Sequence, residues 1–98
     1  MINYNIFIHY SVIYMKRISF NDFNPSMGIL IDVQHPADFK LNPTSGAVNI
    51  YADKLLMDSK HYLNPVNKYY IICNKGFLSR RVVAMLEYLG YDVTQVLR

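Results

Sequence analysis

The sequence contains one cysteine, no tryptophan and little charge. The lone thiol, Cys73, excludes an intramolecular disulfide, so no disulfide framework stabilises the chain. Structural zinc is excluded by count, because the three histidines, His9, His35 and His61, fall 26 residues apart and form no H-x-x-x-H spacing. Charged residues make up 17%, against roughly 25% in an average domain. All of them lie in 16–98, and Met1–Met15 carry none. That opening stretch is broken by Asn, His and Ser, and it is shorter than the about 20 apolar residues that span a bilayer. It has neither the basic region nor the small-residue cleavage site of a signal peptide. Without an export signal the expected location is cytoplasmic, where a lone thiol stays reduced. Residues 1–14 are read as an N-terminal extension, and 15–98 as the domain. The extension is an added strand, a tail without packing of its own, or an upstream stretch outside the native chain, with Met15 as the true start.

Hydrophobic residues make up 52% and aromatics 14% of 98 residues, with nine tyrosines. A chain this apolar builds one small core, which excludes disorder as its main state. Ten Lys and Arg against seven Asp and Glu give a formal charge of +3. That tilt suits a small anionic substrate and is too weak to argue for nucleic acid.

Short apolar runs alternate with helical segments. Ser19, followed by Asp22, opens a short helix that ends before Pro25. Ile29–Val33 reads as a buried strand with Asp32 near its end. Pro36–Phe39 predicts one helical turn with proline at its first position, and 42–46 a loop. Ala47–Ile50 reads as a second strand, and Ala52–Leu63 as one or two helical turns. A turn at Asn64–Asn67 leads into the strand Tyr69–Ile72. After the loop 74–78, Ser79 is the expected helix N-cap. Val82, Val83, Leu86 and Leu89 share one helical face, and Gly90 sits where a C′ glycine ends a helix. Val93–Leu97 is the last strand. This alternation predicts an α/β domain with a small, doubly wound, mostly parallel sheet flanked by helices.

Ligands of such sheets bind beyond the carboxyl ends of the strands, and Cys73 stands at one such end. A lone cysteine after an apolar strand is most simply a small buried hydrophobe. Its surroundings argue for more. Gly76 lets the loop Asn74, Lys75, Gly76, Phe77, Leu78, Ser79 curl so that successive N–H groups point inward. Lys75, Arg80 and Arg81 lie close by, with no acidic residue between Asp58 and Glu87. A helix N-terminus and an amide nest favour an anionic sulfur. The pattern describes a site fit for a thiolate or a persulfide. Lys75 and Arg80 either attract an anionic donor or are solvated surface charges. Asp32, ending a buried strand, reads as structural, bonded to backbone amides near the site.

Four blocks carry a resemblance: Leu-Ile-Asp-Val at 30–33 followed by Asp38-Phe39, Ser-Gly-Ala-Val-Asn-Ile at 45–50, Tyr-Ile-Ile-Cys-Asn-Lys-Gly-Phe-Leu-Ser at 70–79, and Leu-Gly-Tyr-Asp-Val at 89–93. In this order and spacing the chain resembles the rhodanese-like single-domain family over roughly residues 16–97. The resemblance implies a sulfurtransferase in which Cys73 carries a persulfide. The loop amides would stabilise it, and sulfur would pass from thiosulfate or a persulfide donor to cyanide or the thiol of an acceptor protein. It implies no cofactor, metal, nucleic acid or membrane partner, and it leaves the oligomeric state open. This sequence departs from the family pattern where Leu78 replaces the loop arginine and Gln34 the arginine after Asp-Val. Asp38 keeps its place, with Arg80 or Arg81 as the available substitutes.

Two function classes follow. A sulfurtransferase or sulfur carrier predicts an accessible, readily ionised thiol and a stable persulfide. A non-catalytic rhodanese-like module that binds a partner or senses redox state accounts for the two missing arginines. A phosphatase or arsenate reductase on this fold needs C-x5-R, where Ser79 stands instead and Arg80 comes one residue late.

Overall fold

Strand propensity and pairing build the centre of the molecule. In the computed structural model, which describes residues 15–98, five short strands form one sheet: β1 (Arg17–Ser19), β2 (Ile29–Asp32), β3 (Val48–Asn49), β4 (Lys68–Ile72) and β5 (Asp92–Leu97). The extension read at 1–14 lies outside the described residues. All four pairings are parallel, and the spatial order is β1-β5-β4-β2-β3. Parallel neighbours need crossovers, which the helices supply: α1 (Pro36–Leu41), α2 (Ala52–Met57), α3 (Ser59–Tyr62) and α4 (Phe77–Tyr88).

Side chains alternate across each strand and so sort to two faces. On one face Ile31, Val33, Ile71 and Val93 pack with Leu55 of α2 and Leu86 of α4 in the larger core. On the other face Leu30, Ile72 and Val96 form a smaller cluster. Phe20 and Phe23 lie against it, and Phe23 packs on Tyr70 with ring centroids 5.0 Å apart. The β2–β4 pair at the centre is tight enough to require glycine at its entry. A Cβ on Gly28 would stand 2.5 Å from the Lys68 carbonyl oxygen.

Most expected elements lie where the sequence places them, with differences that have physical causes. The segment 52–63 forms two helices, broken at Asp58. Pro36 opens a helix that runs on to Leu41, with the His35 ring accepting from the Ala37 N–H at 3.1 Å. Ser19 does cap a helix, but a single 3-10 turn over Phe20–Asp22. β1 is missing from the sequence reading, because its three residues are held by pairing with β5 and not by an apolar run of their own. Leu89 is 49% exposed, unlike the buried Val82, Val83 and Leu86. The helix has ended by then, and Gly90, at φ +96°, turns the chain back into the sheet at Tyr91. No described helix is long and apolar enough to cross a membrane.

Candidate active site

The carboxyl ends of β2, β4 and β5 and the start of α4 converge on Cys73. The thiol follows β4 directly and belongs to the larger core, 4% exposed. Only Asn74–Gly76 separate it from α4, which starts at Phe77. Ser79 is therefore not the N-cap that the sequence suggests. Gly76 takes that position at φ +83°, a left-handed conformation that side chains with a Cβ resist. The reversal there brings two backbone donors onto the sulfur. The N–H groups of Gly76 and Ser79 both reach Cys73 Sγ at 3.2 Å. The Ser79 hydroxyl lies 3.3 Å from the same sulfur and donates to the Gly76 carbonyl at 3.2 Å. These donors sit at the N-terminus of a twelve-residue helix, whose dipole favours negative charge.

The rest of the loop is more open. Asn74 and Lys75 are exposed beside the sulfur. Phe77 is 70% exposed, and the Arg80 guanidinium lies over its ring, 5.9 Å from the centroid. Leu78, at the position of the family's loop arginine, turns inward against the main core. The thiol is thus less accessible than the sequence suggests, covered by its own loop.

Asp32 is fully buried at the end of β2. By strand alternation with Leu30 it points to the smaller cluster, the sheet face opposite Cys73. Its carboxylate accepts from the Gln34 N–H at 3.0 Å, Gln34 Nε2 at 2.8 Å and Thr44 Oγ1 at 2.6 Å. Asn49 Nδ2 adds donors to the Asp32 and Gln34 carbonyls. The cation near this acid is Arg98, with a guanidinium nitrogen 3.6 Å from Asp32 Oδ2 and bonded to the Thr44 hydroxyl. Of the two arginines that the sequence offers in place of the lost family arginines, Arg80 lies on Phe77 and Arg81 faces Asp53 at 3.9 Å on the surface. Asp38 is exposed on α1. Gln34, in the place of the family arginine, has become a partner of Asp32.

Three buried or partly buried groups escaped the sequence reading: Thr44, Arg98 and Gln95. The last is 2% exposed, and its Nε2 donates to the Gly76 carbonyl at 2.8 Å and to Ser79 Oγ at 3.0 Å. The available signal was a polar residue at an inward position of the final strand, two after Val93. A pocket of about 520 Å³ opens elsewhere, lined by residues such as Ile29, Val48, His61 and Tyr69. It lies towards the amino ends of the strands and includes none of the Cys73 loop, so it is not where this fold's chemistry is expected.

No protein-family model matches the sequence, and no curated protein matches it. Solved structures do. A rhodanese-related protein from Thermoplasma volcanium superposes with a TM-score of 0.74 at 25% identity, covering 83% of this chain and 82% of that one. A rhodanese-like domain protein from Staphylococcus aureus gives 0.71 at 27%, with 84% of each chain covered. The human single-domain sulfurtransferase gives 0.67 at 16%, covering 82% and 87%. With its five-stranded all-parallel sheet, its flanking helices and these likenesses over most of each chain, the protein has the rhodanese-like fold.

Proposed function

We propose that the protein is a sulfur-transfer domain in which Cys73 accepts and passes on a sulfane sulfur. The observation that carries this reading is the convergence of the Gly76 and Ser79 N–H groups on Sγ, each at 3.2 Å. Two amides aimed at one sulfur stabilise negative charge there. The human single-domain sulfurtransferase shares this fold.

In the first half-reaction the Cys73 thiolate attacks the outer sulfur of thiosulfate. A new S–S bond forms at Sγ, the S–S bond of thiosulfate breaks, and sulfite leaves with its electron pair. Cys73 then carries a persulfide anion, close to the same amide donors. In the second half-reaction cyanide or an acceptor thiolate bonds to the outer sulfur. Thiocyanate or a new persulfide departs, and the Cys73 thiolate returns. This is covalent catalysis in two steps. Lys75, exposed beside the sulfur, and Arg80, at the rim on Phe77, are placed to draw an anionic donor inward. The chemistry needs a reduced thiol, which suits the cytosol.

A second reading is favoured by one observation. Cys73 is only 4% exposed, and Leu78 packs inward where a loop cation would meet the donor. A module that binds a partner needs no access to the sulfur, whereas a redox sensor does.

Intact mass spectrometry of the reduced protein after thiosulfate separates the two, with Cys73→Ser as control. The expected result is a mass gain of one sulfur atom, absent from the control and released by cyanide. No gain with thiosulfate or polysulfide, from a folded protein, overturns the sulfur-transfer reading and leaves the binding module.

A further inference from the structure

We infer that Gln95 is a positioning residue for the anionic Cys73 sulfur, acting through the hydroxyl of Ser79. The inference rests on the reading of Cys73 as the sulfur-carrying thiol, and it adds the side chain that orients one of its donors. Gln95 and Val93 alternate onto the sheet face that holds Cys73. Arg17 Nε donates to Gln95 Oε1 at 3.2 Å. That bond holds the amide with its NH2 end towards the loop. The two hydrogens of Nε2 then go to the Gly76 carbonyl at 2.8 Å and to Ser79 Oγ at 3.0 Å.

The consequence lies in the single proton of the Ser79 hydroxyl. It has two acceptors within reach, the Gly76 carbonyl at 3.2 Å and Cys73 Sγ at 3.3 Å. The Gly76 carbonyl has two lone pairs, and the Arg80 N–H already occupies one at 3.1 Å. Gln95 fills the second lone pair of that carbonyl and also donates to one lone pair of Ser79 Oγ. The hydroxyl is therefore released to turn. It accepts from a neutral S–H and donates to an anionic sulfur. The sulfur anion then has three donors: two backbone amides and one hydroxyl. Removing Gln95 reopens the second lone pair of the Gly76 carbonyl, which then takes the Ser79 proton, and the sulfur keeps only the amides.

The test is a pH titration of the ultraviolet thiolate absorbance of the full chain, each variant referenced to its Cys73→Ser counterpart. It uses no sulfur donor, so its outcome is separate from the mass measurement that decides sulfur transfer. Gln95→Met keeps the side-chain length and removes both donors. One hydrogen bond to a charged group sets the scale, so the midpoint is expected to rise by about one pH unit, a roughly tenfold fall in the thiolate-to-thiol ratio. Ser79→Ala is expected to raise it by a similar amount. The double variant is expected to rise little further than Ser79→Ala alone, because Gln95 acts through Ser79. A Gln95→Met midpoint equal to wild type overturns the inference. So does a Gln95→Met effect as large in the Ser79→Ala background as in the wild type, which would mark Gln95 as a general loop support. Should Gln95→Met not fold, Gln95→Leu fills a similar space with neither donors nor charge. Its midpoint must also exceed that of wild type, and an unchanged value overturns the inference equally.

Discussion

Asp32→Asn changes one atom type in a fully buried cluster, and its cost can be worked from the contacts. The carboxylate accepts the Gln34 N–H on one oxygen, and Gln34 Nε2 and Thr44 Oγ1 on the other. An asparagine oxygen placed at the second position keeps the Nε2 and Thr44 bonds. Its NH2 group then faces the Gln34 N–H, donor against donor, at a site with 0% exposure. A buried donor left unpaired costs about 1–3 kcal/mol. The charge partner is lost as well. Arg98 lies 3.6 Å away with a side chain 34% exposed. Unit charges at that separation attract by roughly 4–5 kcal/mol at an effective dielectric of about 20. Solvent screening of a part-exposed partner, and relief of the acid's own desolvation, leave about 1 kcal/mol net. The expected loss is therefore about 2–4 kcal/mol, against a total stability of about 5–15 kcal/mol. For a domain of this size Tm falls by roughly 10–25 °C. Urea unfolding followed by circular dichroism measures the loss, provided the dependence on urea is unchanged. Arg98→Met should cost less in the Asp32→Asn background than in the wild type. A loss under about 0.5 kcal/mol, within the range of ordinary surface substitutions, would refute the reasoning, since it would mean that the cluster repairs itself.

Two further outcomes test the packing. Gly28→Ala puts a Cβ 2.5 Å from the Lys68 carbonyl and 2.9 Å from the Tyr70 ring, so β2 and β4 must part, and chemical denaturation should show a loss of about 1–3 kcal/mol. Leu86→Ala empties a fully buried position of α4 and should cost about 2–5 kcal/mol, whereas Leu89→Ala, at a residue 49% exposed, should stay within about 0.5 kcal/mol in the same assay. Equal losses at the two leucines would contradict the observed helix face.

The α/β class, the strands around Ile29, Tyr69 and Val93, and the standing of Cys73 at a strand end were legible in the order of the residues. These are local properties. Apolar runs of strand length, proline at a helix start and a glycine after a helix express their preferences without reference to distant residues. Gly76 was legible for the same reason, since a tight loop between a strand and a helix calls for a residue that tolerates positive φ. The rest depends on contacts between residues far apart in the chain. β1 is a strand because β5 pairs with it across 78 positions of sequence, as Arg17 and Gln95 do. Ser79 lost its expected capping role because the chain reversed three residues earlier, and its N–H and hydroxyl turned to the sulfur. Arg98 came to Asp32, and Gln95 to the Cys73 loop, because parallel strands bring their carboxyl ends to one edge of the sheet however far apart they lie in the chain. A buried polar group needs a partner, but spacing in the sequence does not say which one, and only the packed sheet makes that choice.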